Sequence, residues 1–156
     1  MAGRHEHGYR LSTRWVGAGE AGIADDAFPR QFHVSIDGKA ELVGSADPAF
    51  RGDSSKHNPE ELLLAALSGC HLLSYLALAA RARVRVVAYE DEATGKIDMK
   101  DGRIRFVEAV LRPTVTIAAD GDAAKAEALH AQAATICFIA NSLNFPVRHE
   151  PRTLKR

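Results

Sequence analysis

The chain is expected to fold as an α+β domain, with antiparallel sheets around one long buried helix. Three observations predict it. An apolar run from Leu62 to Ala80 follows Asn58-Pro59-Glu60-Glu61, which reads as one long helix. The segment ahead of it alternates apolar and polar residues around an Asp37-Gly38 turn. After Asp120-Gly121-Asp122, residues Ala126, Leu129, Ala133, Ile136 and Ala140 return at helical spacing.

Taken in order, Tyr9 to Val16 reads as a first strand containing Trp15 and ended by Gly17-Ala18-Gly19, with Glu20 to Arg30 as a loop. Gln31 to Ile36 alternates cleanly, turns at Asp37-Gly38 and returns as Glu41 to Gly44. Ser45 to Lys56 carries turn residues leading into the helix cap. Asn58 is a good N-cap, Pro59 suits the first helical position, and Glu60 and Glu61 place negative charge on the positive end of the helix dipole. From Pro59 to Ala80 the helix would run ~33 Å, apolar on nearly every face and therefore buried on most of them. Val84 to Glu92 follows as a strand, Ala93 to Lys96 as a turn, and Arg103 to Ala118 as one long extended segment in which Pro113 argues for an edge or a bulge. The second helix is expected from Ala123 to about Leu143, and Phe145 to Leu154 as one short final strand with Pro146 and Pro151 limiting its pairing.

At 156 residues the chain suits a single domain, residues 1–156, with residues 1–8 a disordered tail. Its 20 basic and 20 acidic residues balance, so neither a nucleic acid nor an anionic membrane is indicated as partner. The apolar run is interrupted by Ser68, Gly69, His71 and Ser74, which favours a buried helix over a membrane span. Met1 to Arg10 holds no apolar segment of the secretory type, and the expected location is cytoplasmic. Two cysteines do not make a disulfide framework, which leaves inert burial or redox chemistry.

Cys70 and Cys137 fall on the two predicted helices, Cys137 in the last third of the second. Free cysteine is most often a small buried apolar residue. Gly69, His71, Ser68 and Ser74 set Cys70 apart from that pattern. A reactive thiol needs a lowered pKa, and Cys70 lies some three turns into its helix, beyond the reach of the first-turn dipole. The activating charge would then come from a cation such as Arg14, Arg30 or Arg51. Glu60 precedes Cys70 by ten residues, so the two sit on neighbouring faces ~15 Å apart along the axis. Glu60 cannot touch the thiol but could hold a bidentate arginine that does; ordinary capping is the other reading of Glu60. His71 points ~100° away from Cys70 and suits packing or an interface. No ligand spacing supports a metal site built from His57, Cys70, His71 and Cys137.

With Asn58-Pro59-Glu60-Glu61-Leu62, Cys70 ten positions after Glu60, and the distant Cys137, the chain resembles the OsmC/Ohr family of thiol-dependent hydroperoxide reductases from Tyr9 to Leu154. The resemblance implies an OsmC-like fold in an intertwined homodimer with active sites at the subunit interface. It implies Cys70 as the peroxidatic thiolate, Cys137 as the resolving cysteine, and Glu60 as the carboxylate that holds an arginine. The OsmC-like branch points to Arg51 for that arginine, whereas the Ohr branch favours Arg30 or Arg14. Organic hydroperoxide would be the substrate, a dithiol such as a lipoylated protein the reductant, and no cofactor or metal is implied. Leu63, Leu67, Phe138 and Ile139 would supply an apolar lining. The chain departs from the family around both cysteines, reading Ser-Gly-Cys-His where Ala-Ala-Cys and an aromatic are usual, and lacking the proline that commonly follows the second cysteine. A redox-sensing or small-ligand-binding module of the same fold, without turnover, is the alternative function.

Overall fold

A computed structural model describes residues 6–15, 17, 19, 22, 23 and 25–156. Met1 to His5 of the expected tail lie outside the described residues. So do Val16 and Ala18 at the end of the first strand, and Glu20, Ala21 and Ala24 of the loop after it. The chain divides into two compact units, Met1–Leu62 and Leu63–Arg156.

The first unit is built on a three-stranded antiparallel sheet of β1 (Ser12–Trp15), β2 (Phe32–Ser35) and β3 (Leu42–Gly44), in that order. The expected turn between β2 and β3 forms, with Gly38 at φ 71° and the Lys39 N–H donating to Ile36 O at 3.1 Å. A short 3₁₀ turn, Pro48–Phe50, is capped by the Asp47 side chain and leaves Arg51 in the left-handed region. Gly52 follows because a Cβ there would sit 1.6 Å from the Ala46 carbonyl oxygen. Asn58 then caps helix α1 (Pro59–Arg81), its Oδ1 accepting from the Glu61 N–H at 2.8 Å while Glu61 Oε2 accepts from the Asn58 N–H at 3.2 Å. This reciprocal pair is a capping box, and its acid is Glu61.

The second unit holds most of α1, two three-stranded sheets and a second helix. The sheets have the orders β4-β7-β9 and β5-β6-β8, from β4 (Val86–Asp91), β5 (Thr94–Lys100), β6 (Arg103–Leu111), β7 (Pro113–Ile117), β8 (Val147–His149) and β9 (Arg152–Lys155). Four expectations are corrected here. Ala93 to Lys96 is no turn, because β5 starts at Thr94 and pairs with β6 across the Asp101-Gly102 turn, where φ is 53° and 73°. Arg103 to Ala118 is two strands in different sheets, broken where the Arg112 N–H donates to Asp91 Oδ1 at 2.7 Å instead of continuing a ladder. Pro113 opens the central strand β7, a position that asks for no N–H toward β9, whose pairing begins at Thr114. Phe145 to Leu154 is likewise two strands, and both β8 and β9 pair in parallel, with β6 and β7, so the sheets are mixed.

Helix α2 (Ala123–Ile136) is capped as expected by Asp122, whose side chain accepts from the Lys125 N–H at 3.0 Å. It stops seven residues before Leu143. Cys137 is its C-cap in an extended conformation, and the Asn141 Nδ2 satisfies the Thr135 carbonyl that a further helical turn would have used. A 3₁₀ turn, Ala140–Ser142, follows.

By length and composition alone α1 could cross a membrane. In this chain it buries one stripe, Leu67, His71, Tyr75 and Ala79, rather than most of its surface. Tyr75 and Ala79 join Val84, Val115, Ile117, Ala126, Leu129 and Ala133 in one core, and Leu67 joins Ala109, Leu111 and Cys137 in another. Between them lies a histidine cluster. His71 Nε2 is 3.1 Å from His130 Nδ1, and the His71 ring lies 4.4 Å from that of His149. Tyr75 stacks on His130 at 4.2 Å and donates its hydroxyl to Ala126 O.

Burial, and then the neighbouring imidazoles, push the His71 and His130 pKa values down to about 4, while Asp91 acts in the opposite direction on His71. Unfolded histidine titrates near 6.5, so below that pH the unfolded chain takes up protons the folded one refuses. Stability is therefore expected to be full above about pH 6.5 and to fall between about 6.5 and 4. Urea midpoints measured from pH 7.5 to 5 should decrease, and less steeply in His130→Gln; a flat or rising midpoint would contradict this.

Candidate active site

Cys70 follows Leu67 by three residues and precedes His71, which puts it beside the buried stripe of α1 and not within it. Its side chain is half-buried and packs against the cluster that contains Cys137. Both thiols are free. The end of α2 brings this about: a helix continued to Leu143 would turn Cys137 with it, whereas the extended C-cap leaves its side chain buried in that cluster. Burial and then the Cys70 thiol beside it push the Cys137 thiol up to about 11, against the Ala140 N–H that donates to its sulfur at 3.5 Å. One cysteine is thus accessible and the other held as a buried thiol in contact with it.

Cys70 opens on a pocket of about 690 Å³. Its lining is largely apolar, with Leu73 and Ala77 from α1 and Ile136, Phe138 and Ile139 from the end of α2. Phe138 and Ile139 are thus placed as expected. Leu67 instead fills the core, 1% exposed, and Leu63 is not part of the lining. Arg81 also lines the pocket. It was missed in the sequence, although Ala66, Cys70, Leu73, Ser74, Ala77 and Arg81 form one helical stripe: eleven residues are ~20° more than three turns.

The polar neighbours of Cys70 have other work. Ser68 Oγ donates to Asp91 Oδ2 at 2.5 Å, tying α1 to the end of β4, and His71 belongs to the histidine cluster. Glu60 is half-buried on the first turn of α1 and makes no hydrogen bond or ion pair among the described residues; Glu61 serves as the cap. Of the three candidate arginines, Arg51 Nη1 lies 3.4 Å from Asp26 Oδ2, Arg30 binds the same carboxylate and packs over the Phe28 ring, and Arg14 Nη2 lies 3.9 Å from Glu41 Oε1. All three are held within the first unit. Among the described residues no group of three or more His, Cys, Asp or Glu side chains converges as a metal site, and His57 pairs with Glu61 at 3.8 Å.

The difference in burial between the thiols is directly measurable. Iodoacetamide at pH 7.5 is expected to modify Cys70 at least ~10-fold faster than Cys137 in the folded protein, with the two rates converging in urea. Equal rates in the native state, by peptide mass mapping, would show that Cys137 is not shielded.

The family model described as OsmC-like protein matches residues 52–152. None of the curated proteins matches the chain. Among solved structures, an OsmC-like protein of unknown function from Vibrio cholerae is 29% identical, with a TM-score of 0.86 over 94% of this chain and 99% of that one. An organic hydroperoxide resistance protein from Elizabethkingia anophelis is 18% identical, with a TM-score of 0.69 over 97% and 99%. One from Legionella pneumophila is 17% identical, with a TM-score of 0.69 over 96% and 99%. The last two share the fold. A match over most of the chain, with the fold it implies, shows that this protein belongs to the OsmC-like family.

Proposed function

We propose that this protein is a thiol-dependent peroxidase for organic hydroperoxides. One observation carries the reading: two free cysteines from different elements pack together, one half-buried at an apolar pocket and the other fully buried. The hydroperoxide resistance proteins among its structural neighbours lend support to the substrate class.

In this mechanism the Cys70 thiolate attacks the distal oxygen of the hydroperoxide, the O–O bond breaks, and the alkoxide leaves and takes up a proton as the alcohol. Cys70 is then a sulfenic acid. Cys137, kept protonated by its burial until that point, gives its proton to the departing hydroxyl as its sulfur attacks Cys70, so that water leaves and a disulfide forms. A dithiol, such as a lipoylated protein, reduces the disulfide by exchange and is itself oxidised. Arg51, released from Asp26 and taken up by Glu60, is assigned in this reading to stabilise the Cys70 thiolate and the leaving alkoxide. The apolar lining of Leu73, Phe138 and Ile139 favours an alkyl or aryl peroxide over hydrogen peroxide.

A homodimer completes this reading. Leu73 is 68% and Phe138 79% exposed, both in the lining of the largely apolar pocket, and exposed apolar surface of that kind is normally covered. A second copy of the chain is the proposed cover. The free thiols fit a reducing, cytoplasmic location.

Cumene hydroperoxide consumption with dihydrolipoamide tests the chemistry. Wild type should turn over, Cys70→Ser should lose activity, and Cys137→Ser should accumulate oxidised Cys70 and become over-oxidised. One stoichiometric oxidation of Cys70 without turnover would overturn the enzyme reading in favour of a sensor. Arg51→Ala should lower kcat ~10²-fold while Arg30→Ala and Arg14→Ala stay near wild type; the reverse pattern would move the arginine role.

A further inference from the structure

The cysteine pocket carries one charge that the peroxidase chemistry leaves unused. Among the described residues its lining holds a single cation, Arg81, and no carboxylate. Cys70 and Arg81 stand on one row of α1, ~16 Å apart along the helix axis. Leu73 and Ala77 lie between them on the helix, and Phe138 and Ile139 complete the apolar wall.

An arginine in the last turn of a helix ordinarily serves the helix itself, by bonding the terminal carbonyls and answering the dipole. Here those carbonyls have other partners. The Arg83 N–H donates to Ala80 O at 3.1 Å and the Val84 N–H to Ala79 O at 2.9 Å, with Arg83 at φ 58°, which is a Schellman motif. The Ala82 N–H donates to Leu78 O at 2.8 Å, and the Lys125 side chain donates to Ala82 O at 2.7 Å. The Arg81 guanidinium makes no ion pair or hydrogen bond among the described residues, whereas nearby Arg85 is tied to Asp120. Helical side chains lean toward the N-terminus, which is the direction of Ala77 and the pocket. The stem of Arg81 is thus laid on the apolar wall with its charge exposed to solvent.

An unpaired guanidinium beside an apolar wall, with no acid in the lining, suits an anion carried on a hydrocarbon. A carboxylate matches the arginine fork with two hydrogen bonds, whereas phosphate groups are usually met by clusters of arginines, and this lining holds one. Carbon–carbon bonds of ~1.5 Å advance an extended chain by ~1.3 Å per carbon. With ~3 Å left for the contact at each end, about eight carbons fit between the guanidinium and the sulfur.

The geometry points to Arg81 as the specificity-determining residue of this pocket, holding the carboxylate of a substrate whose peroxide lies about eight carbons away at Cys70. The substrate class is thereby narrowed from any organic hydroperoxide to an aliphatic hydroperoxy carboxylate. This inference rests on the peroxidase reading for the chemistry at Cys70, but the binding of the anion needs no turnover. A second copy laid over Leu73 and Phe138 would exclude water from the same lining and strengthen the ion pair.

Binding is read first, as protection of Cys70 from iodoacetamide in the reduced protein at pH 7.5 and constant ionic strength. Octanoate should protect wild type saturably. Arg81→Gln should weaken protection by octanoate at least ~5-fold relative to protection by 1-octanol, and Arg81→Lys should restore part of the difference. A merely structural role would move both ligands together. Turnover is read second, as kcat/KM for 8-hydroperoxyoctanoate divided by that for its methyl ester. The ratio should fall at least ~5-fold in Arg81→Gln and further in Arg81→Glu, with KM carrying the change. No saturable protection of wild type by octanoate, or ratios unchanged in Arg81→Gln, would overturn the inference. Absence of turnover with cumene hydroperoxide would instead remove the peroxidase reading, and the protection assay would still decide whether Arg81 holds a carboxylate.

Discussion

The second unit depends on a single stripe of α1. Leu67, His71, Tyr75 and Ala79 recur every four residues and are the helix's buried side chains. Leu67 enters the cluster with Leu111 and Cys137, Tyr75 and Ala79 enter the cluster with Val115 and Ala133, and His71 bridges to His130 between them. One helix thereby packs against both sheets and α2. The stripe also fixes what is not buried: the adjacent row, from Ala66 through Cys70 and Ala77 to Arg81, lies about 100° away and lines the pocket. Burying one row determines that Cys70 faces a cavity instead of the core.

The end of α2 matters equally. Helix propensity does not favour the run Ile136-Cys137-Phe138-Ile139, with two β-branched residues and an aromatic. The Asn141 side chain offers the Thr135 carbonyl an alternative partner, and the chain leaves the helix at Cys137. That break places a buried thiol against Cys70 and turns Phe138 outward. The raised pKa of Cys137 follows from the same burial.

Local signals in the sequence were legible where neighbouring residues alone decide the outcome. Asn58, Asp122 and Asp37-Gly38 act through hydrogen bonds within three residues, and each cap or turn formed where its residues stood. The division of strands was not legible in the same way. Arg103 to Ala118 is continuously extended in character, and only the Asp91 carboxylate, contributed from the end of β4, breaks it at Arg112. Parallel pairing of β8 and β9 likewise depends on partners far away in the chain.

Periodicity and short-range hydrogen bonding are enough to read the α+β class, the two helices and their N-terminal caps from the residues alone, and the Asn58-Pro59-Glu60 to Cys70 spacing with Cys137 carries the family resemblance. Which row of α1 is buried, that Cys137 ends its helix and meets Cys70, that Glu61 and not Glu60 caps α1, and that three histidines come together emerge in the folded chain alone. Those features come from side chains competing for one interior and for the same few polar partners, and no local pattern in the sequence records which of them wins.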